Sequence, residues 1–367
     1  MEIKIQKKDL LLILSKVVGV LNPKPTLPVL NHILFESNKN RFTITGTDLE
    51  LSIKINKEIP NIIKEGKVLI PGKKLLEIIR EFPEVEILLK SERENLIRIS
   101  HDKINLSLVG LRVDDFPLIP KIKTPFQFKV NSTSLKKSII YTRPIVVFNE
   151  NKPNLSGVFL TTEDGWLTAV STDTRRLARY KTKINLSTNI KVILPIRAAD
   201  AARSLWEEDV ELDVTLGSNQ IILSSEDLAL TSQIIEGEFP DYTTVIPKNE
   251  DMAAAAIPMA EFTSAVRRIK QVVSAGKNMV KLDFRKTLLR ISGETAGVGE
   301  GLEEIGVAFE GDSAVTYFNP DYLIEGLKGV EDENEFIFGI NRNPERPSMI
   351  RPAKSTDYLC LIMPMSP

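Results

Sequence analysis

Apolar residues follow two rhythms along this chain. Arg41-Phe42-Thr43-Ile44-Thr45 and Asp48-Leu49-Glu50-Leu51-Ser52-Ile53-Lys54-Ile55 alternate between apolar and polar side chains. A period of two predicts strands with one buried and one wet face. Elsewhere the period is that of a helix. Phe262, Val266, Ile269 and Val273 recur at spacings of 4, 3 and 4, which stacks them as a single stripe on an α-helix. Leu75, Ile79 and Phe82 form a second stripe, and Leu135 and Ile139 a third. Asn319-Pro320 reads as a helix start, because asparagine caps the first free N–H groups and proline loses nothing at the first helical position.

These elements recur in order. A strand running into an amphipathic helix opens residues 2–21, 128–147 and 255–273, and Leu10, Leu135 and Phe262 superpose at intervals of 125 and 127 residues. A second strand-to-helix passage carries Pro71, Pro195 and Pro320, at intervals of 124 and 125. Each segment then closes near an apolar-proline pair, Phe116-Pro117, Phe239-Pro240 and Met363-Pro364. Agreement in order, flanking strand and helix face points to three copies of one unit. Two helices against an antiparallel sheet, three times over, predict an α+β fold of three tandem domains. Their expected limits are 1–122, 123–248 and 249–367, with links rich in turn residues or charge near 119–124 and 247–252.

The chain has 367 residues, enough for two or three domains. Its 48 basic and 49 acidic side chains leave a net charge of −1, which argues against a uniformly basic nucleic-acid binder while leaving room for a local basic face. The single cysteine, Cys360, forms no intrachain disulfide and fits a reducing cytosol. No stretch reaches the roughly 18 apolar residues of a membrane span, and the start of the chain has no apolar signal core; a cytoplasmic protein is expected.

Catalytic and metal constellations are missing. Two histidines, His32 and His101, stand in unrelated settings and supply no metal set. The run Gly66 to Gly72-Lys73-Lys74 has the wrong spacing for a phosphate loop. Gly297-Val298-Gly299-Glu300-Gly301 follows a strand and reads as a hairpin loop, not a dinucleotide fingerprint. No enzyme, cofactor or metal is expected.

The helices also present cations away from their apolar stripes. Lys73 and Arg80 fall on one such face, Lys136 and Arg143 on a second, and Arg267, Arg268 and Lys270 on a third, with Arg203 on a further helix. On one helix this is an ordinary solvated face. Recurrence in all three copies suggests a surface for phosphates, which would be sequence-independent and salt-sensitive. Aromatic interleaving for base stacking and base-reading motifs are both absent.

Specific motifs carry a family resemblance. Lys24-Pro25-Thr26-Leu27-Pro28-Val29-Leu30, Thr45-Gly46-Thr47-Asp48-Leu49-Glu50 and Asp115-Phe116-Pro117 resemble the first third of the bacterial sliding clamp family, the beta subunit of DNA polymerase III. Ser171-Thr172-Asp173-Thr174-Arg175-Arg176-Leu177-Ala178 and Phe239-Pro240-Asp241-Tyr242 resemble the middle third. Phe318-Asn319-Pro320-Asp321-Tyr322-Leu323 and Met363-Pro364-Met365 resemble the last. The resemblance implies a head-to-tail homodimeric ring around double-stranded DNA that tethers the replicative polymerase. A non-catalytic peptide-binding scaffold without DNA encirclement is the alternative.

The resemblance also implies sites. Lys24 matches a basic loop position, and Lys73, Arg80, Lys136, Lys137 and Arg197 match basic channel positions; Arg143, Arg203, Arg267, Arg268 and Lys270 join them from the helix faces. A hydrophobic cleft of Leu155, Thr172, Thr174, Arg175, Arg176, Leu177, Pro240, Val245, Leu361 and Met363 would take short peptide motifs. Its expected partners are the DNA polymerase III catalytic subunit, clamp-loader subunits, other polymerases and repair proteins. Thr174-Arg175 stands where the family commonly has Gly-His, so a narrower, more basic cleft is expected. The Ser366-Pro367 tail departs from the family's basic and apolar ending.

Overall fold

Among the described residues, each α-helix starts within one residue of the end of a strand. The helices are α1 (Lys7–Val18), α2 (Gly72–Glu81), α3 (Ser132–Thr142), α4 (Ile196–Leu205), α5 (Met259–Val273) and α6 (Pro320–Gly326). Pro71, Pro195 and Pro258 are the last residues of the strands that precede α2, α4 and α5; lacking an N–H, proline gives a ladder no donor. Asn319 caps α6 as its sequence predicts, its side chain accepting from the Asp321 N–H at 2.8 Å. This computed structural model describes residues 1–22, 27–93, 95–119, 122, 126–186, 188–207 and 209–366. The strand-to-helix passages fall where the threefold reading puts them.

Two compact units divide the chain. Unit 1 comprises Met1–Thr133 and Arg197–Ile234; unit 2 comprises Ser134–Ile196 and Ile235–Pro367. Unit 1 holds a five-stranded sheet in the order Ile62–Lys64, Glu2–Gln6, Glu86–Arg93, Leu96–His101, Ile104–Val109. It also holds an eight-stranded sheet in the order Phe126–Asn131, Glu211–Leu216, Gln220–Ser224, Leu228–Gln233, Leu51–Glu58, Arg41–Thr47, His32–Asn38, Gly66–Pro71. Unit 2 has a nine-stranded sheet in the order Ile190–Pro195, Gly157–Glu163, Trp166–Thr172, Arg176–Lys183, Tyr358–Ile362, Ser348–Pro352, Glu335–Asn341, Met252–Pro258, Ala308–Glu310. Its second sheet runs Gly299–Gly306, Leu288–Thr295, Val280–Arg285, Ala314–Phe318.

The units cut across the sequence repeat for a physical reason. Leu228–Gln233 pairs with Leu51–Glu58 in antiparallel register, Leu230 opposite Ile53. Arg176–Lys183 pairs with Tyr358–Ile362, Leu177 opposite Leu361. Main-chain ladders therefore fuse part of the central copy to the first and the rest to the third.

Burial follows the apolar stripes. Phe262, Val266, Ile269 and Val273 are buried in the core of unit 2; Leu135 and Ile139 in α3 are buried too, as are Leu75, Ile79 and Phe82 around α2 in unit 1. Removing an aromatic ring from such a site costs about 3–5 kcal/mol. Gly46 is required by close approach: a Cβ there would lie 2.7 Å from Cγ1 of Val17 on α1.

Two expectations need correction. Arg41–Thr47 is buried on both faces past its first residue, not wet on one. Its threonine side is covered by cross-strand neighbours, Glu36 and Asn56 beside Thr43, Leu34 and Lys54 beside Thr45, and Thr43 donates to Asn56 at 2.9 Å. The following strand begins at Leu51, because Asp48 to Glu50 form a turn. The glycine-rich run is a hairpin, as expected, but Gly299 and Gly301 lie within the returning strand, opposite Thr295 and Gly293.

Candidate functional site

Three strands of unit 2 and the loops beside them converge on one cavity. The hairpin between Trp166–Thr172 and Arg176–Lys183 turns on Asp173, whose Oδ1 accepts from the N–H groups of Arg175 (2.9 Å) and Arg176 (3.0 Å). The Thr172 hydroxyl donates to the Arg176 carbonyl at 2.7 Å and accepts from Thr174 N–H at 3.1 Å. This forces Thr174 to a φ of 76°, a left-handed conformation that a β-branched residue adopts only under strain. The neighbouring strand end is tied in when Met363 N–H donates to the Arg175 carbonyl at 2.8 Å.

All ten predicted cleft residues line this cavity of about 190 Å³. Leu155, Leu177 and Leu361 are buried in its floor, while Val245 and Met363 stay 44% and 37% exposed at the rim. Phe239, Asp241, Tyr242 and Pro347 line it too and were not among the predicted residues. The first three belong to the Phe239-Pro240-Asp241-Tyr242 motif, so the signal was present; Pro347 gives none. Phe239 stacks flat on Phe159 with ring centres 4.6 Å apart, and Tyr242 meets Phe159 edge-on at 6.4 Å. Asp241 fixes the entrance of the Tyr242–Val245 turn by accepting from the Thr243 hydroxyl and N–H, and these two bonds, the hydroxyl's first, hold its carboxyl below the usual range. Burial raises the Tyr242 phenol, so it remains a neutral donor. An apolar floor with a few fixed polar groups suits a short peptide with apolar side chains.

Arg176 differs from the other lining residues. Its side chain is almost wholly buried, donating to Asp173 Oδ2 at 2.9 Å and pairing with Glu325 of α6. It braces the floor against α6. Arg175 is exposed and makes the rim basic.

The predicted phosphate-contacting cations fall into two groups. Lys73 and Arg80 on α2, Lys136 and Lys137 on α3, and Arg267 on α5 form no ion pair with the described residues. The others are engaged. Arg197 pairs with Asp48 and donates to the Val20 carbonyl at 2.8 Å; Arg203 pairs with Asp200 at 3.2 Å; Arg268 holds Glu303 through two bonds of 2.7 and 2.6 Å; Lys270 pairs with Asp321. Arg143 sits half-buried and engaged at the Arg143–Ile145 turn. Lys24 lies outside the described residues.

Among the described residues no cluster of histidine, cysteine and carboxylate side chains could hold a metal. His32 and His101 each sit about 3 Å from a backbone carbonyl, Pro28 and Glu86, in separate places. Cys360 is fully buried in the strand beside the cleft, and burial pushes its thiol up to about 12. No helix among the described residues is long and apolar enough to cross a membrane.

Family models of the DNA polymerase III beta subunit match three successive stretches: its N-terminal domain over residues 1–120, its central domain over 129–241 and its C-terminal domain over 243–366. The chain belongs to the DNA polymerase III beta subunit family. Its role is that of a non-catalytic processivity factor in DNA replication. Beta sliding clamps of Staphylococcus epidermidis and Staphylococcus aureus are each 28% identical over 379 aligned residues, covering 100% of this chain and 99% of the relative. The DNA polymerase III subunit beta of Pseudomonas aeruginosa is 25% identical with a TM-score of 0.92, and the same organism's sliding clamp bound to griselimycin is 26% identical with a TM-score of 0.94; both alignments cover 100% of either chain. The fold is shared with the Bacillus subtilis sliding clamp, 24% identical, TM-score 0.93, over 100% of this chain and 99% of that one.

Proposed function

We propose that two copies of this beta subunit close head to tail into a ring around duplex DNA, and that the cavity of unit 2 tethers partner proteins to it. The three domains run 1–122, 123–248 and 249–367, giving six around the ring, and it works in the bacterial cytoplasm. The observation that carries the tether is the convergence of ten residues, from chain segments more than 200 positions apart, on one apolar cavity. Short segments of the polymerase catalytic subunit, the clamp loader, other polymerases and repair proteins dock there, their apolar side chains over Leu177 and Leu361 and beside Met363.

Charge and topology support the ring. The cations on α2, α3 and α5 that stand free of acids offer weak, sequence-independent phosphate contacts. Such contacts let a ring slide, because holding comes from encirclement and not from static affinity. Each unit also ends a sheet on an edge strand, Ile104–Val109 in unit 1 and Gly299–Gly306 in unit 2. Val109 and Leu302 are 66% and 62% exposed. An exposed edge strand is a template for pairing with another chain, and two different edges suit a head-to-tail closure.

Loading the protein with its clamp loader onto nicked circular DNA and then linearising it tests the ring. Retention on circles and loss from linear molecules is the expected result. Equal retention on both, or a strictly monomeric mass of 41.1 kDa at micromolar concentration, would overturn it.

A further inference from the structure

The turn that frames the cleft exists twice. In unit 1, Thr47-Asp48-Leu49-Glu50-Leu51 joins Arg41–Thr47 to Leu51–Glu58, 125 positions before Thr172-Asp173-Thr174-Arg175-Arg176. Asp48 Oδ1 accepts from Glu50 and Leu51 N–H at 3.2 and 2.8 Å. The Thr47 hydroxyl donates to the Leu51 carbonyl at 3.0 Å and accepts from Leu49 N–H at 3.1 Å. Leu49 has a φ of 82°, against 76° at Thr174. The adjoining strand is tied in identically: Gln233 N–H donates to the Glu50 carbonyl at 2.8 Å, as Met363 N–H does to Arg175. Pro117, which closes the first copy as Pro240 closes the second, lines a depression with this turn.

The scaffolds match while their floors differ. Ser52 faces Thr231 across the ladder where Leu177 faces Leu361. Gln233 takes the place of Met363 and reaches back to the Leu49 carbonyl at 3.5 Å. The cavity in unit 1 is about 30 Å³, against about 190 Å³ in unit 2. A space of that size has no room for a leucine side chain, and one forced into it would press on the Ser52 and Thr231 hydroxyls of its lining.

We propose that the chain carries two copies of one docking scaffold and that two floor positions and one rim position decide which is open: Leu177, Leu361 and the rim residue Met363 admit apolar segments in unit 2, while Ser52, Thr231 and Gln233 keep the unit 1 copy closed. This rests on the peptide-docking reading of the unit 2 cavity. The scaffold's hydrogen bonds set the shape of the entrance, and the floor sets occupancy.

The test uses the full-length protein with methyl-labelled leucines and isoleucines and a synthetic pentapeptide containing two leucines and a phenylalanine. The expected result is one peptide per chain, with shifts at Leu177 and Leu361 and none at Leu49 or Leu51. Shifts at Leu51 would overturn the closed copy; no shifts at Leu177 would sink the docking reading itself, a separate failure. Grafting Ser52→Leu, Thr231→Leu and Gln233→Met into a Met363→Asp background should restore binding of one peptide per chain. A graft that melts cooperatively yet binds no peptide overturns the assignment of the floor. Should the triple graft not fold, the reciprocal variant Leu177→Ser, Leu361→Thr, Met363→Gln must lose at least tenfold in affinity while its Thr172–Arg176 turn keeps its amide shifts; retained affinity overturns the proposal equally.

Discussion

The guanidinium of Arg176 lies 4.1 Å from the centre of the Tyr322 ring. That contact, together with the pairs to Asp173 and Glu325, joins the cleft turn to α6 inside unit 2. Breaking a buried charge cluster by removing one partner typically costs about 3–5 kcal/mol, because the remaining charges are left desolvated. Arg176→Ala should therefore lower stability by about that amount, read as a shift in the denaturant midpoint. Arg176→Lys should recover little, since an ammonium cannot reach Asp173 and Glu325 while stacking on Tyr322. A loss below about 1 kcal/mol in Arg176→Ala would show that this cluster is not a brace.

Thr174 pays for its position in backbone strain. Replacing it with glycine, which adopts positive φ freely, should stabilise the chain by about 1 kcal/mol despite glycine's larger unfolded-state entropy. Thermal melting of Thr174→Gly checks this. The same change shortens the wall beside the rim, so peptide affinity should not fall.

Leu177 and Met363 line the cavity and are its proposed apolar anchors. The double variant Leu177→Ala, Met363→Ala should weaken peptide binding by roughly 2–4 kcal/mol, the range of hot-spot truncations, measured by calorimetry. Affinity equal to that of the unaltered chain would remove the cavity from the tethering role.

Free and engaged cations should separate in a salt titration. Removing one cation that touches a phosphate lowers the slope of log K against log salt by about 0.9. Lys73→Ala, Arg80→Ala, Lys137→Ala and Arg267→Ala should each reduce the slope for binding to short duplex DNA. Arg268→Ala should leave it nearly unchanged, because its charge already faces Glu303. Equal effects at all five positions would contradict that division.

Asp321 supplies an acid-sensitive element. Burial alone would raise its carboxyl, but hydrogen bonds from Lys270 and Asn278 outweigh burial and hold it below its ordinary value of 3.8. A depressed carboxylate contributes stability above its unfolded value that disappears as pH falls through the folded one. The contribution of Asp321 should thus be complete at neutral pH and be lost progressively as pH falls below about 4. Asp321→Asn should flatten the stability profile in that window alone, as followed by denaturation at pH 2 to 6.

Much of the architecture was legible because helix stripes and strand-to-helix prolines are local signals. Phe262 to Val273 needed only a 3.6-residue period, and Asn319-Pro320 only capping chemistry. The double burial of Arg41–Thr47 was not legible: the cover over Thr43 and Thr45 comes from neighbouring strands, and a period of two is blind to them. The cleft was readable only as a set of motifs, since Leu155, Leu177 and Leu361 taken singly are ordinary core leucines. Pro347 escaped for the same reason, being brought to the cavity by strand pairing across the chain. Helix-face reasoning found cations but not their partners: Glu303 and Asp321, which engage Arg268 and Lys270, lie 35 and 51 positions further along the sequence.

Cys360 has a practical corollary. With its sulfur fully enclosed and its ionisation displaced far above neutrality, the native chain offers maleimides and peroxides no thiolate. A cysteine placed on any exposed surface would react alone, so a fluorophore or crosslinker could be installed without first deleting the natural sulfhydryl, and motion along DNA could be followed on otherwise unaltered protein.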